Sequence, residues 1–413
     1  MHLHRRSFFQ AAGGVSAALA SASSAWATDP AGPFTALPDR ASFAFDGVHM
    51  NAAFTHMIGH RTADAGRAYV EARMREPGRV WPGENARNEA VQLYAAMINA
   101  APEAIAVVPS TLEGENLVGA ALGLGPRAGV VTDALHYDAS LVRYGELARA
   151  GMPLTVLAPR NNRIDYAELD RAITPDTRLV AISLVSSPTG YKHDLERVCA
   201  IAHAKGAFVY ADVIQAVGAI PFDVKASGVD FCCAGHYKWL MGEFGAAFLY
   251  VRPDRLAELK RTQLGWRGVD HYQGHALPGE PAGPAAGDWS LRADTAGVFE
   301  VSTASWGPLA ATVGSLRYIC DIGVDRLDAW RRPMLDRLQE ELPRHGFTPL
   351  TPRDAQGPAV VFYKPGLSRD AEARLKAAKI YLTVTADKVR IAPSVHNEMA
   401  EVERVIAVLA GKA

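Results

Sequence analysis

Short apolar runs alternate with helix-like stretches through the middle of the chain, and this alternation restricts the fold more than any other feature. The apolar runs are GVVTDA, LTVLAP, LVAISLV, AFVYADV, FCCAG and AAFLYV. Helix-like stretches such as YAELDRAI and DLERVCAIAHAKG lie between several of them. Strands that alternate with helices are typical of an α/β domain built on a largely parallel sheet. Ligands of such domains bind at the carboxyl ends of the strands, so we expect the functional residues there.

The pattern changes towards the C-terminus. Residues 265–296 are rich in glycine and proline, and we expect this long segment to border the active site. Beyond it a helical pattern returns, followed by the strand-like PAVVFYK and IYLTVTADKVRIAP and a last helix, EMAEVERVIAVLA. We therefore predict an N-terminal arm over residues 28–44, a large domain over 45–306 and a smaller C-terminal α+β domain over 307–413.

Composition excludes some classes of partner. The 413 residues carry a formal net charge of −1, which gives no electrostatic reason to expect nucleic-acid binding. The cysteines show neither metal-site spacing nor a disulfide pattern, so we predict no metal site. They are Cys199, Cys232, Cys233 and Cys320.

The N-terminus has the organisation of an export signal. Arg5 and Arg6 precede a mildly apolar stretch that ends at the small-residue motif Ala25-Trp26-Ala27. The paired arginines resemble a bacterial twin-arginine signal, although a disordered basic tail is the alternative. We expect residues 1–27 to be removed during export. The mature protein would then be periplasmic or secreted, and the apolar stretch is too short to anchor it in a membrane.

One lysine raises the question of chemistry. Lys238, in AGHYKWLMGEFG, lies between two apolar runs. Either its stem packs while its ammonium reaches water, or it is kept neutral to attack a carbonyl carbon. Asp212 ends the preceding apolar strand, where it caps a helix or faces the ligand crevice. An acid and a lysine on adjacent strand ends can clamp a pyridine ring, with the carboxylate on the ring nitrogen and the amine on the aldehyde.

The stretches SSPTG, YADVIQAVG and GHYKWLMGEFGAAFLYV resemble the fold type I pyridoxal-phosphate (PLP) enzymes. More narrowly, they resemble the class V aminotransferase family, which includes cysteine desulfurases, kynureninases and isopenicillin-N-epimerase-like enzymes. The resemblance extends from Asn51 to Asn397. It implies PLP as cofactor, a mainly parallel seven-stranded sheet in the large domain, and a homodimer with shared active sites.

The resemblance also implies roles around the cofactor ring. Lys238 matches the Schiff-base lysine, Asp212 the acid on the pyridinium nitrogen, and Gln215 the amide on the phenolic oxygen. Tyr137 aligns with the aromatic residue stacked on the ring, and adjacent His136 is the alternate by a one-residue slip. Ile214 would pack on the other face.

For the phosphate, the resemblance points to the start of a helix in PSTLEGENL, where backbone N–H groups bind anions. A plain capping box between Ser110 and Glu113 is compatible with this role. Thr303 would contact the phosphate of the neighbouring subunit, although Ser302 replaces the family's glycine beside it. The remaining cofactor contacts implied are Ser110, Thr111, Leu112, Ser187, His236 and Tyr237.

The substrate contacts implied are Arg390 and Asn51. Arg390, in KVRIAPSVHN, would bind the carboxylate of an amino-acid or small peptide substrate through two guanidinium nitrogens. A solvated surface arginine is the alternative. The family's tyrosine in this segment is His396 here.

Three functional hypotheses follow. The first is transamination or epimerisation at the α-carbon of an amino acid or peptide amine. The second is a C–S or β/γ-elimination lyase; a cysteine desulfurase is disfavoured because residues 321–389 contain no cysteine for the loop nucleophile. The third is a non-catalytic exported protein that retains the fold, which has no need of Lys238, Asp212 and Arg390 together.

Overall fold

The computed structural model describes residues 36–76, 82–274 and 287–412. The predicted signal peptide, the first part of the predicted arm and the middle of the glycine- and proline-rich segment lie outside these ranges. Among the described residues, no helix combines the length and apolar character that crossing a membrane requires.

The elements follow one another as the alternation predicts. The strands are β1 Val48–His49, β2 Ile105–Val108, β3 Gly129–Asp133, β4 Leu154–Leu157, β5 Thr177–Ser183, β6 Phe208–Asp212, β7 Phe231–Gly235, β8 Ala247–Val251, β9 Val269–Gly274, β10 Gly287–Leu291, β11 Thr348–Pro349, β12 Val360–Tyr363, β13 Ile380–Tyr381, β14 Thr383–Thr385 and β15 Lys388–Ile391. The helices are α1 His60–Arg75, α2 Pro82–Met97, α3 Thr111–Ala121, α4 Asp138–Arg149, α5 Tyr166–Ala172, α6 Leu195–Ala204, α7 Val224–Ser227, α8 Thr295–Phe299, α9 Trp306–Ile322, α10 Val324–Glu341, α11 Ser368–Ala377 and α12 Met399–Leu409.

The large domain is built on a seven-stranded sheet with the order β2-β8-β7-β6-β5-β3-β4. Only β8 is antiparallel to its neighbours in this sheet, so the other strands all end at the same edge. The central strands β6, β7 and β8 are buried along their whole length, which explains why their sequences are apolar apart from Asp212 at the end of β6. The predicted α/β fold with a mainly parallel sheet is confirmed.

The C-terminal part forms a smaller domain around a four-stranded antiparallel sheet with the order β11-β12-β15-β14. Phe347, Phe362 and Val405 lie in its separate apolar core. The predicted smaller α+β domain is therefore confirmed.

Packing crosses the predicted domain limits at two elements. β1, near the N-terminus, pairs in parallel with β13, and Met50 is buried in the small-domain core. Helix α9, which begins at the predicted boundary, packs on α1 and α2 and contributes Leu309 and Leu316 to the large-domain core. The limits at residues 45, 306 and 307 stay predictions.

Candidate active site

The loops that follow β2, β6 and β7 converge at the shared carboxyl edge of the sheet. Gly235, the last residue of β7, marks the point of convergence. A Cβ atom at Gly235 would lie 3.1 Å from Ile214 Cδ1, 3.2 Å from Thr111 Oγ1 and 3.3 Å from Tyr237 Cε1. The absence of a side chain at Gly235 therefore leaves a cradle between three of the predicted cofactor contacts.

Lys238 lies three residues beyond this cradle. Its pKa is lowered to about 8, because burial disfavours the ammonium and Arg390 repels it, while Asp212 acts in the opposite direction. Its Nζ lies 5.8 Å from the centroid of the Tyr237 ring. No hydrogen bond joins this amine to another described residue. An amine that gives up its proton near pH 8 is suited to attack a carbonyl carbon.

Asp212 is buried at the end of β6. Its Oδ1 accepts a hydrogen bond of 3.0 Å from the backbone N–H of Ile214, so the carboxylate does cap the following turn. Burial raises its pKa, against the backbone N–H of Ile214 and the nearby charges of His136 and Lys238. The capping role occupies one oxygen. Among the described residues Oδ2 has no hydrogen-bond partner, so capping leaves it available for a ring nitrogen.

Gln215 is held in a fixed orientation. Its Nε2 donates to the carbonyl of Ala53 at 2.8 Å, and its Oε1 accepts from Trp239 Nε1 at 3.0 Å. An amide nitrogen carries two hydrogens. The second has no partner within the described part of the chain, so it can serve the phenolic oxygen predicted for it.

The two candidates for ring stacking occupy different environments. His136 is completely buried, with Nδ1 2.9 Å from Ser183 Oγ and Nε2 3.1 Å from Glu115 Oε1. Tyr137 is 45% exposed and begins the entry into α4. Sequence reasoning preferred Tyr137. The structure places His136 in the buried layer beside Asp212 and Tyr137 at the rim.

The helix α3 begins at the same edge. The Oγ of Ser110 caps it by accepting from the Glu113 N–H at 3.1 Å, and Thr111 Oγ1 accepts from the Gly235 N–H at 2.9 Å. The first backbone N–H groups of a helix have no intrahelical partner, so those of Thr111 and Leu112 are available to an anion. Of the predicted capping box, only the bond to Ser110 Oγ is found among the described residues, and it is compatible with the phosphate role.

His236 and Tyr237 precede the lysine but point into different surroundings. His236 is buried, its Nδ1 lies 3.0 Å from Thr312 Oγ1, and its Nε2 has no partner among the described residues. Burial lowers its pKa to about 3. Tyr237 is half-buried and stacks on Phe244 with 4.6 Å between ring centroids.

Arg390 is a largely buried guanidinium without a carboxylate. Its Nη1 donates to Ser187 Oγ, and its Nη2 lies 3.4 Å from Thr383 Oγ1, which in turn donates to Asn51 Oδ1 at 2.5 Å. Its Nε is buried without a partner, and no described Asp or Glu forms an ion pair with it. Burial lowers its pKa to about 10. This environment differs from that of a solvated surface arginine and favours an anionic ligand.

Thr303 lies between the helices α8 and α9. It is exposed and lines a surface groove together with Pro109, Glu113 and Gly245. Within the described ranges it makes no hydrogen bond to Lys238 or Asp212. Its predicted contact with a neighbour's phosphate stays a prediction.

Sequence reasoning missed several supporting side chains. Thr383 joins Arg390 to Asn51, Trp239 orients Gln215, and Glu115 contacts His136. Only Glu115 left a signal in the sequence, as the one charged residue of GENLVGAA. The others are ordinary residues whose role depends on contacts across more than one element.

The assembled residues fit PLP. The Gly235 cradle, the free N–H groups of α3, the amine of Lys238 and the buried carboxylate of Asp212 lie at one sheet edge. Comparison with known families gives the same answer, because the model of the family described as Aminotransferase class-V matches residues 83–384. The chain belongs to the aminotransferase class-V family. It is thus a PLP-dependent enzyme of fold type I.

Class V relatives carry more than one name. An uncharacterized aminotransferase of Bacillus subtilis, YcbU, is 26% identical over 80% of this chain and 83% of its own length. The cysteine desulfurase IscS of Anaeromyxobacter dehalogenans is 33% identical, over 42% of this chain and 43% of its own.

Solved structures agree on the fold. The apo cysteine desulfurase of Thermococcus onnurineus matches 92% of this chain and 99% of its own with a TM-score of 0.79 and 22% identity. The cystine C-S lyase C-DES, in complex with cysteine persulfide, matches 88% of this chain and 97% of its own with a TM-score of 0.74 and 22% identity. Cysteine desulfurase chemistry stays among the alternatives because sequence relatives carry that name, although residues 321–389 lack a cysteine.

Proposed function

We propose that this enzyme acts at the α-carbon of a small amino acid or peptide amine, by transamination or epimerisation. The observation that carries the proposal is Arg390, a largely buried guanidinium that pairs with no carboxylate of the described residues and whose charge acts on the Lys238 amine. Burying an unpaired charge is unfavourable. A substrate carboxylate on Arg390 would remove that penalty and bring its α-amino group towards Lys238.

Each residue then has a defined task. Arg390 binds the carboxylate and fixes the substrate in the way a bidentate guanidinium can. When bound, PLP withdraws electrons from the substrate α-carbon and so acidifies its hydrogen. Lys238, whose pKa is about 8, takes that proton and returns it. Asp212 keeps the ring nitrogen of the cofactor protonated.

Transamination is the better supported of the two reactions. Epimerisation needs an acid on the face opposite Lys238, and the candidates were Tyr137 and His136. Both ring nitrogens of His136 are engaged, with Ser183 and Glu115. Tyr137 is thus the remaining candidate for the acid that epimerisation needs. Transamination requires no such acid, only Lys238.

Incubation of purified enzyme with L-amino acids and small peptide amines in deuterated water tests the proposal. A keto or aldehyde product, with the cofactor recovered in its amine form, supports transamination. Deuterium at an inverted α-carbon supports epimerisation. Arg390→Gln should raise KM for carboxylate substrates while PLP stays bound, and an unchanged KM would remove the basis of the proposal.

Lyase chemistry is the second candidate because relatives are named cysteine desulfurase and a matched structure is a cystine C-S lyase. Release of sulfide, pyruvate or alanine, without deuterium inversion or transamination products, would decide in its favour. A third outcome, no turnover of any amine by PLP-loaded protein, would favour the non-catalytic alternative.

The assembly proposed is a homodimer with shared sites. Thr303 is exposed on a surface groove and so accessible to a neighbouring subunit, which supports this proposal, and twofold dimers are the commonest oligomers. Chains carrying Lys238→Ala mixed with chains carrying Thr303→Ala should form one intact site per mixed dimer. Mixed dimers should then retain more PLP at limiting cofactor than dimers of either variant alone. An active monomer in ultracentrifugation would refute shared sites.

Export by the twin-arginine route is likewise proposed, from Arg5, Arg6 and the Ala25-Trp26-Ala27 motif. Replacing both arginines by lysine should leave unprocessed precursor in the cytoplasm. Normal maturation of that variant would assign export to another signal.

A further inference from the structure

Glu115 is a buried carboxylate with an unusual set of partners. It lies on α3 and is 1% exposed. Its oxygens accept from Ser140 Oγ at 2.6 Å and from the Tyr144 hydroxyl, and Oε1 lies 3.1 Å from His136 Nε2. No described lysine or arginine forms an ion pair with it. A protonated His136 is therefore the cation available to pair with the Glu115 carboxylate, whose charge would otherwise be buried without a partner.

Each ring nitrogen of His136 lies beside an oxygen that can accept a hydrogen bond. An ionised carboxylate only accepts, so Nε2 must carry a hydrogen towards Glu115. Ser183 Oγ, 2.9 Å from Nδ1, can accept a second one. Burial alone would lower the His136 pKa, but Glu115, and then Asp212 and Asp133, raise it overall. These carboxylates belong to α3, β6 and β3, and the ring of Tyr144 stacks on that of His136 with 6.3 Å between centroids.

We propose that Glu115 is a positioning residue that holds His136 as an imidazolium beside Asp212. Ser183 and Asp212 are register partners on β5 and β6, so the ring bonded to Ser183 lies next to the Asp212 carboxylate. A positive ring there favours ionised Asp212, against the burial that disfavours it. Ionised Asp212 is the form that can keep the ring nitrogen of PLP protonated. Glu115 acts on the cofactor only through these neighbours, whichever reaction follows.

Nitrogen-15 NMR of the histidine rings in PLP-loaded, full-length protein tests this inference without turnover. His136→Gln identifies the His136 signals among the 13 histidines. In wild type we expect both ring nitrogens to be protonated at pH 7. A singly protonated His136 at pH 7 would overturn the proposal even if no variant folds.

The variants separate charge from packing. Glu115→Gln keeps the shape and should convert His136 to the neutral ring at pH 7, with kcat at least tenfold lower and KM little changed. Glu113→Gln, an exposed change on the same helix, is the matched control and should leave the signals unaltered. Tyr144→Phe removes one donor to Glu115 but no charge, so His136 should stay doubly protonated. If Glu115→Gln leaves His136 doubly protonated, Glu115 has only a structural role. Because the ring signals require no product, failure of the transamination proposal would leave this result interpretable.

Discussion

At the scale of single residues, burial determines what Lys238 can do. Its amine has a pKa of about 8 rather than the 10.5 of an exposed lysine. Apo-protein should therefore capture PLP covalently at a rate that rises with pH and levels off just above pH 8, since only the neutral amine attacks. Stopped-flow absorbance measures the rate, and borohydride followed by peptide mapping locates the bond. Lys238→Ala should show no covalent capture; a rate still rising through pH 10 in wild type would contradict the assigned environment.

The second prediction at this scale concerns Asp212. Asp212→Asn keeps the size of the side chain and can still accept from the Ile214 N–H, so the turn after β6 should persist. It loses the charge that we propose holds the ring nitrogen of PLP protonated. We expect PLP to be retained and turnover to fall by roughly 100-fold or more, in the range of a lost electrostatic contact in an active site. Steady-state kinetics on PLP-saturated protein measures the turnover of this variant. Near-normal turnover would mean that Asp212 only caps the turn after β6.

Residues at strand ends could be predicted, and residues that support them could not. Lys238 and Asp212 follow apolar runs, so their position was readable from hydrophobicity alone. Thr383 and Trp239 act through hydrogen bonds to Arg390 and Gln215 that join distant parts of the chain. Their residue types are common in strands and cores, so nothing in one sequence marks them.

At the scale of elements, strands that form only through pairing with distant parts of the chain could not be predicted from the sequence. Central strands such as β6 and β7 were evident because burial on both faces makes them continuously apolar. The two-residue strand β1 was not, because it exists only through its pairing of Val48 with Ile380 near the other end of the chain. The hairpin of β9 and β10 lies inside the glycine- and proline-rich segment, whose composition suggested a loop.

The turn after Gln215 gives a prediction about an element. Gly218 has a φ of +83°, and a Cβ there would lie 2.6 Å from the backbone oxygen of Trp239. Gly206 has a φ of +77° but no atom within 4 Å of such a Cβ. Either change to alanine places a residue with a Cβ atom in the left-handed backbone region, which costs about 1–2 kcal/mol of stability. Gly218→Ala should lower the free energy of unfolding by about 1–3 kcal/mol more, because overpacking adds to that cost.

Urea denaturation of the two variants measures the difference. Because Trp239 orients Gln215, Gly218→Ala should also weaken PLP binding, which Gly206→Ala should leave unchanged. Equal losses of stability in the two variants would mean that the backbone at Trp239 shifts to accommodate the added Cβ atom without further cost.

At the scale of the whole molecule, the active site lies where the two domains and the N-terminal segment meet. The buried Arg331 of α10 donates from Nε to the Pro393 carbonyl at 3.0 Å and from Nη1 to the Ala219 carbonyl at 2.8 Å. Its guanidinium lies 4.8 Å from the centroid of the Trp239 ring. Hydropathy predicted both domains but not such contacts, so the domain limits were the least determined part of the prediction.

Buried histidines join the same three parts. His56 lies 2.8 Å from Ser394 Oγ through Nε2, and its backbone N–H donates to the Tyr237 carbonyl at 3.0 Å. The ring of His396 lies 5.6 Å from that of His56, and its Nε2 is 2.9 Å from the His49 carbonyl. Burial lowers the pKa of His56 to about 3 and that of His396 well below its ordinary value. Both rings are therefore neutral in the folded protein.

This neutrality predicts how stability depends on pH. The unfolded chain protonates these rings below about pH 6.5 while the fold excludes the proton, so the unfolded state binds more protons there and stability falls as the pH drops from 6.5 to 5. Each ring contributes a slope of up to about 1.4 kcal/mol per pH unit. His136 has a raised pKa and acts in the opposite sense, and carboxylates with lowered pKa values, such as Asp133, lose their contribution only at lower pH. Urea denaturation between pH 5 and 7.5 should therefore show a shallower slope for His396→Gln than for wild type, and an unchanged slope for the exposed control His60→Gln. Identical slopes in wild type and His396→Gln would show that the ring of His396 accepts a proton within the fold.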